Sequence, residues 1–111
     1  MPFINVKTNI NIENKDVIKE ELGKLISILP GKSETWLMVD IEDNKNMYFR
    51  GSNDPLMMVE VKIYGSSNEK VLNDFTSKTS SYLSSICHIP QDRIYISYFS
   101  TPYRGYDGEN F

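Results

Sequence analysis

Leu25-Ile26-Ser27-Ile28-Leu29-Pro30-Gly31-Lys32-Ser33-Glu34-Thr35-Trp36-Leu37-Met38 ends an apolar helical face, breaks at Pro30-Gly31 and reopens as a strand. The pattern returns, offset by 58 positions, in Leu83-Ser84-Ser85-Ile86-Cys87-His88-Ile89-Pro90-Gln91-Asp92-Arg93-Ile94-Tyr95-Ile96. Leu25 is matched by Leu83, Ser27 by Ser85, Ile28 by Ile86 and Glu34 by Asp92. An echo of a helix end plus a strand start reads as two tandem copies of one supersecondary unit.

Working outward, each copy acquires a preceding strand. Pro2 to Thr8 reads as the first strand. From about Lys15 to Leu29, residues Ile18, Leu22, Leu25, Ile26 and Leu29 recur at helical spacing, with Lys19, Glu20, Glu21 and Lys24 largely off that face as a solvated surface. Pro30-Gly31 stops the helix, and Thr35 to Glu42 forms the next strand. Met47 to Phe49 reads as a short edge strand before Gly51-Ser52-Asn53-Asp54-Pro55, which is turn chemistry.

In the second copy, Leu56 to Tyr64 is the strand, partly continuous and partly alternating. Ser66-Ser67-Asn68-Glu69 has capping-box spacing. It opens a helix to about Ile86, with Val71, Leu72, Phe75, Thr79, Tyr82, Leu83 and Ile86 inward. Arg93 to Phe99 is the last long strand, and the tail from Tyr103 to Phe111 is rich in glycine and aromatics.

Two β-α-β units predict an α+β domain over residues 1–111, with a four-stranded mixed sheet. Right-handed crossovers put both helices on one face. The opposite face is left bare and, read from its strands, too apolar for water, which predicts oligomerisation.

Composition excludes several classes of function. The 111 residues are 40% hydrophobic and 24% charged, ordinary for a globular domain. A net charge of −3, a pI near 5.1 and 12 scattered Lys and Arg residues argue against nucleic acid or an anionic membrane as partner. Cys87 is the only cysteine and His88 the only histidine, so a disulfide, a CxxC motif or a histidine-based metal site is not expected. Both follow the second helix, where a fold role is the expectation. No signal peptide or membrane-spanning run is evident, which predicts a cytoplasmic chain whose export would bypass the signal-peptide route.

Pro2 bears on chemistry. Removal of Met1 makes its nitrogen a secondary amine, while with Met1 attached that nitrogen is an amide without useful basicity. An α-amino group titrates near ~8, and an apolar pocket or a nearby cation lowers that value. Such a group is a base for neutral pH. Read alone, Met-Pro favours a proline tolerated at the start of a strand, and Lys32 alone favours a solvated loop or a helix C-terminal charge.

Met1-Pro2-Phe3-Ile4, Gly31-Lys32, Phe49-Arg50-Gly51-Ser52-Asn53-Asp54-Pro55, Asp92-Arg93-Ile94-Tyr95-Ile96 and Gly105-Tyr106-Asp107-Gly108-Glu109-Asn110-Phe111 fall in register with one known pattern. Their order and spacing resemble the macrophage migration inhibitory factor family of the tautomerase superfamily, over the whole chain. The resemblance implies a homotrimer with a pocket at each subunit boundary. It implies Pro2 as catalytic base, Lys32 as the binder of a substrate carboxylate, and Tyr64 as a backbone donor. Tyr95 and Ser97 would come from the neighbouring subunit. Phe3, Trp36, Tyr106 and Phe111 would wall the pocket, although Trp36 and Tyr95 also read as core aromatics.

The activity so implied is keto–enol tautomerisation of a small aromatic α-keto acid such as phenylpyruvate, or of a dopachrome-type substrate, without metal or organic cofactor. The family also contains cytokines, which implies a second reading: a signalling ligand for a cell-surface receptor that keeps a relic pocket. A third chemistry on this scaffold, dehalogenation or decarboxylation, uses pocket arginines. Arg50, Arg93 and Arg104 carry no sequence sign of that role. The chain departs from the family at Ser97 (usually Asn), at Lys62-Ile63 (usually His-Ser), at Tyr64 (commonly Ile) and at Tyr106 (Trp).

Overall fold

A computed structural model describes residues 1–110. The chain runs β1 (Phe3–Thr8), α1 (Lys15–Leu25), β2 (Met38–Glu42), β3 (Met57–Tyr64), α2 (Glu69–Cys87), β4 (Ile94–Thr101), and a two-residue hairpin, β5 (Gly105–Tyr106) with β6 (Glu109–Asn110). The main sheet has the order β2-β1-β3-β4. β1 is parallel to β2 and antiparallel to β3, and β3 is parallel to β4. Each half is therefore a β-α-β unit, and the two halves meet along the β1–β3 seam. The internal echo extends to short 3-10 turns, Glu34–Trp36 before β2 and Gln91–Arg93 before β4.

The core lies between the sheet and the two helices. Ile4, Val6, Val59, Val61 and Ile63 face it from the central strands, and Ile18, Leu22, Ile26, Leu29, Phe75 and Leu83 from the helical layer. Phe75 also meets Tyr98 edge-on at 6.2 Å. The Tyr98 hydroxyl donates to the Leu72 carbonyl at 3.1 Å, which fastens α2 to β4.

Several boundaries differ from the sequence reading, each for a local reason. The first α-helix ends at Leu25 and tightens into a 3-10 turn over Ile26–Ile28, because Pro30-Gly31 leaves the last carbonyls without further α-helical donors. Thr35 and Trp36 belong to a 3-10 turn rather than to β2, whose ladder begins where β1 offers a partner, Phe3 opposite Met38. Met47 to Phe49 is not a strand. Only Phe49 and Ser52 bridge, closing a two-residue turn with both central residues left-handed, Arg50 at φ 52° and Gly51 at φ 72°. Arg93 anchors this loop by donating to the carbonyls of Phe49, Ser52, Asp54 and Pro55. Its neighbour Asp92 pairs instead with Arg50, at 3.4 Å.

The α2 cap is Asn68, not Ser66. The Asn68 side chain accepts the Val71 N–H at 2.9 Å, which makes Glu69 the first helical residue. At the other end the last turn of α2 overhangs a cavity of about 370 Å³ lined in part by Ile10, Ile12 and Val17, so Ile86 is 45% exposed rather than inward. His88 caps the helix in the left-handed region, at φ 57°. Cys87 is half-buried, and burial pushes its thiol pKa up, as suits an inert structural cysteine.

The open face of the sheet also departs from expectation. Register aligns three rows across it: Met38-Phe3-Lys62-Phe99, Asp40-Asn5-Glu60-Ser97 and Glu42-Lys7-Met58-Tyr95. The face is polar through its middle and aromatic toward its ends. Asn5, 4% exposed, donates to both Asp40 and Glu42. The apolar character read from the strands belongs mainly to the helix-covered side, because alternation sends Val59, Val61 and Ile63 there and Glu60 and Lys62 outward.

Candidate active site at the amino end of the central strand

Pro2 lies just before β1 and is buried. Its carbonyl accepts the Met38 N–H at 3.0 Å, joining the beginnings of β1 and β2. The antiparallel register, Phe3 opposite Lys62, carries the chain before Phe3 toward Ile63 and Tyr64 at the end of β3.

Lys32 reaches the same place from the other side. Pro30 and Gly31 form a tight turn closed by the Lys32 N–H on the Leu29 carbonyl, and Gly31 takes φ 77°, which a side chain would strain. The turn aims Lys32 inward, and its Nζ donates to the Tyr64 carbonyl at 2.9 Å. Lys32 is thus neither a solvated loop residue nor a helix-terminal charge.

Arg104 completes the cluster, and the sequence reading missed it. The Gly65 N–H donates to the Thr101 carbonyl at 2.9 Å, holding the end of β4 beside Tyr64. Beyond it, Tyr106 stands edge-on to Trp36, with ring centroids 5.4 Å apart. Arg104 lies between these anchors. Among the described residues its buried Nε has no hydrogen-bond partner and Arg104 makes no ion pair. The sequence signal was its place one residue before Gly105-Tyr106, inside a tail already assigned to the pocket.

The electrostatics reflect this convergence. With Met1 in place, burial lowers the pKa of the terminal amine, and the charges of Lys32 and then Arg104 lower it further. A third cation, Lys62, stands 5.7 Å from the Phe3 ring centroid and 5.9 Å from that of Phe99. Phe3 therefore lies on the open sheet face beside the site. Trp36 is 49% exposed and Tyr106 52%, so both rings offer free surface.

Tyr95 and Ser97 are not brought to this cluster. Tyr95 lies in the row of Lys7, five residues along β1 from Pro2, roughly 16 Å down the sheet. It meets Phe49 edge-on at 5.0 Å, lines a cavity of about 170 Å³ and is 57% exposed. Ser97 is half-buried next to Glu60. Phe111 lies outside the described residues.

A sheet of two antiparallel β-α-β units, with Pro2 buried at the strand end that Lys32 reaches, is the architecture of the tautomerase superfamily. The family model for macrophage migration inhibitory factor (MIF) matches residues 1–107, and the chain belongs to that family. It is 30% identical over 100 residues to the macrophage migration inhibitory factor homolog of Wuchereria bancrofti, covering 86% of this chain and 84% of that one. The Brugia malayi homolog is 26% identical over 99 residues, covering 88% of this chain and 86% of the relative. Among solved structures, that of Leishmania major MIF2 superposes with a TM-score of 0.89 at 26% identity, spanning 100% of this chain and 97% of the other. Membership supports tautomerase or cytokine-like function in general terms.

Proposed function

We propose that the chain, once Met1 is removed, is a cofactor-free keto–enol tautomerase acting on a small aromatic α-keto acid. The Pro2 amine takes a proton from the carbon beside the ketone, and the C–H electron pair becomes the C=C bond of an enolate. The enolate oxygen is then protonated to give the enol, and ketonisation runs the same steps backward. Lys32 binds the substrate carboxylate, exchanging its bond to the Tyr64 carbonyl for a charge-assisted one. The backbone of Tyr64 orients the substrate, and Trp36, Tyr106 and Phe3 supply aromatic walls.

One observation carries the reading: Pro2 is buried at the strand end that the Lys32 ammonium reaches, where burial and then the Lys32 charge lower the pKa of the terminal amine. The separation of Tyr95 and Ser97 from Pro2 supports a homotrimer in which those two residues complete the site of a neighbouring copy.

The test follows loss of enol phenylpyruvate by absorbance, in wild type and in Pro2→Gly, both verified as Met1-free by intact mass. A fall of about 10²-fold or more is expected for a lost general base. Equal rates reject Pro2 as the base. No activity in a trimeric, Met1-free wild type leaves the signalling-ligand reading in its place.

A further inference from the structure

We infer that Arg104 is a specificity-determining residue that fits this pocket to substrates with a second anionic group, a keto acid carrying two carboxylates rather than one. The inference rests on the tautomerase reading above and deepens it. Arg104 is held by its surroundings. The Gly65–Thr101 hydrogen bond fixes the chain before it, and the Thr101 hydroxyl accepts the Tyr103 N–H at 3.1 Å. The Tyr106–Trp36 contact fixes the chain after it. Between these points the guanidinium is only partly exposed.

A desolvated guanidinium nitrogen without an acceptor is costly unless a ligand supplies one. Nothing among the described residues does so: the five ion pairs engage Lys7, Lys15, Lys45, Arg50 and Lys78, and none involves Arg104 or Lys32. Lys32 donates its ammonium to a neutral carbonyl. Two cations therefore flank the N-terminus with no carboxylate partner among the described residues, and both charges reach the terminal amine. A monocarboxylate neutralises one of them. A dicarboxylate neutralises both, and the planar fork of arginine suits a second carboxylate through paired N–H donors.

The experiment compares two substrates, phenylpyruvate and its ring-carboxylated analogue, in Met1-free wild type, Arg104→Leu, Arg104→Lys and Pro2→Gly. Arg104→Leu is expected to lower the ratio of kcat/KM for the dicarboxylate over the monocarboxylate by about tenfold or more, mainly through the dicarboxylate KM. Arg104→Lys restores part of that ratio, since the charge remains while the fork is lost. Calorimetry with malonate, a non-reacting dicarboxylate, should give weaker binding to Arg104→Leu than to wild type. An unchanged ratio, or equal malonate affinity in a folded Arg104→Leu, overturns the inference. If Pro2→Gly turns over both substrates as wild type does, the tautomerase reading has failed instead, and malonate binding still decides whether Arg104 holds an anion.

Discussion

The Lys32 ammonium donates to the Tyr64 backbone carbonyl at 2.9 Å across 32 residues of sequence, and so fixes a cation at the end of the strand that faces the N-terminus. A carbonyl is a weak partner for an ammonium compared with a carboxylate, so the lysine is positioned yet still available. Lys32→Ala is expected to raise KM for an α-keto acid by about tenfold or more, the range of a hydrogen bond to a charged group. Steady-state kinetics on Met1-free enzyme check this, and an unchanged KM removes Lys32 from carboxylate binding.

Burial, then Lys32, then Arg104 hold the terminal amine below its ordinary value of 8.0. Folding thus disfavours the protonated amine, and the unfolded chain binds more protons between the folded pKa and 8.0. The penalty is absent above that window and complete below it, so stability from this group rises with pH through the window. For catalysis, the acidic limb of kcat/KM in Met1-free enzyme should lie below about 8. Lys32→Gln, which removes one of the depressing charges, should move the limb upward. A pH–rate profile reads both, and an unmoved limb shows that the Lys32 charge does not act on the base.

Pro2 and Tyr95 lie roughly 16 Å apart along the sheet, a separation no side-chain rotation closes. In the proposed homotrimer, a complete site takes Pro2 from one copy and Tyr95 from another. Co-refolding Pro2→Gly with Tyr95→Ala should give specific activity above the mean of the two parents, since about a quarter of randomly assembled sites carry both native residues. Sedimentation should give three times the 12.8 kDa chain mass. No gain on mixing, or a monomer, counts against a shared site.

Thr79 is fully buried in α2, and its hydroxyl has no hydrogen-bond partner among the described residues. Thr79→Val keeps the shape, with little change in helix propensity, and removes the unsatisfied group. A gain of about 1 kcal/mol is expected, read as a higher urea midpoint at constant m. A lower midpoint would mean that the hydroxyl is satisfied in the folded protein.

Much of the fold was legible because the signals were local. The helical recurrence of Ile18, Leu22, Ile26 and Leu29, and the alternation of Val59, Val61 and Ile63, are facts of spacing, and the structure buries all seven. The α2 cap was missed by two residues because Ser66 and Asn68 compete for one role and sequence does not rank them. The 3-10 turn at Glu34–Trp36 was missed because Trp36 and Leu37 carry strand propensity, while a ladder needs a partner and β1 provides none before Met38. Ile86 has the spacing of a core residue, yet α2 extends past its support.

The sequence by itself determined the two β-α-β units and the single layer of helices, because periodicity and the break at Pro30-Gly31 are local. It pointed to Pro2 and Lys32 together only through the family resemblance that its motifs carry. Only the tertiary structure decided that Lys32 turns inward, that Arg104 joins it, and that Tyr95 and Ser97 stand apart. Those outcomes depend on the register of β1 against β3 and β3 against β4, and on how the tail after Thr101 folds back to Trp36. Each is set by contacts between residues far apart in sequence, which no local pattern encodes.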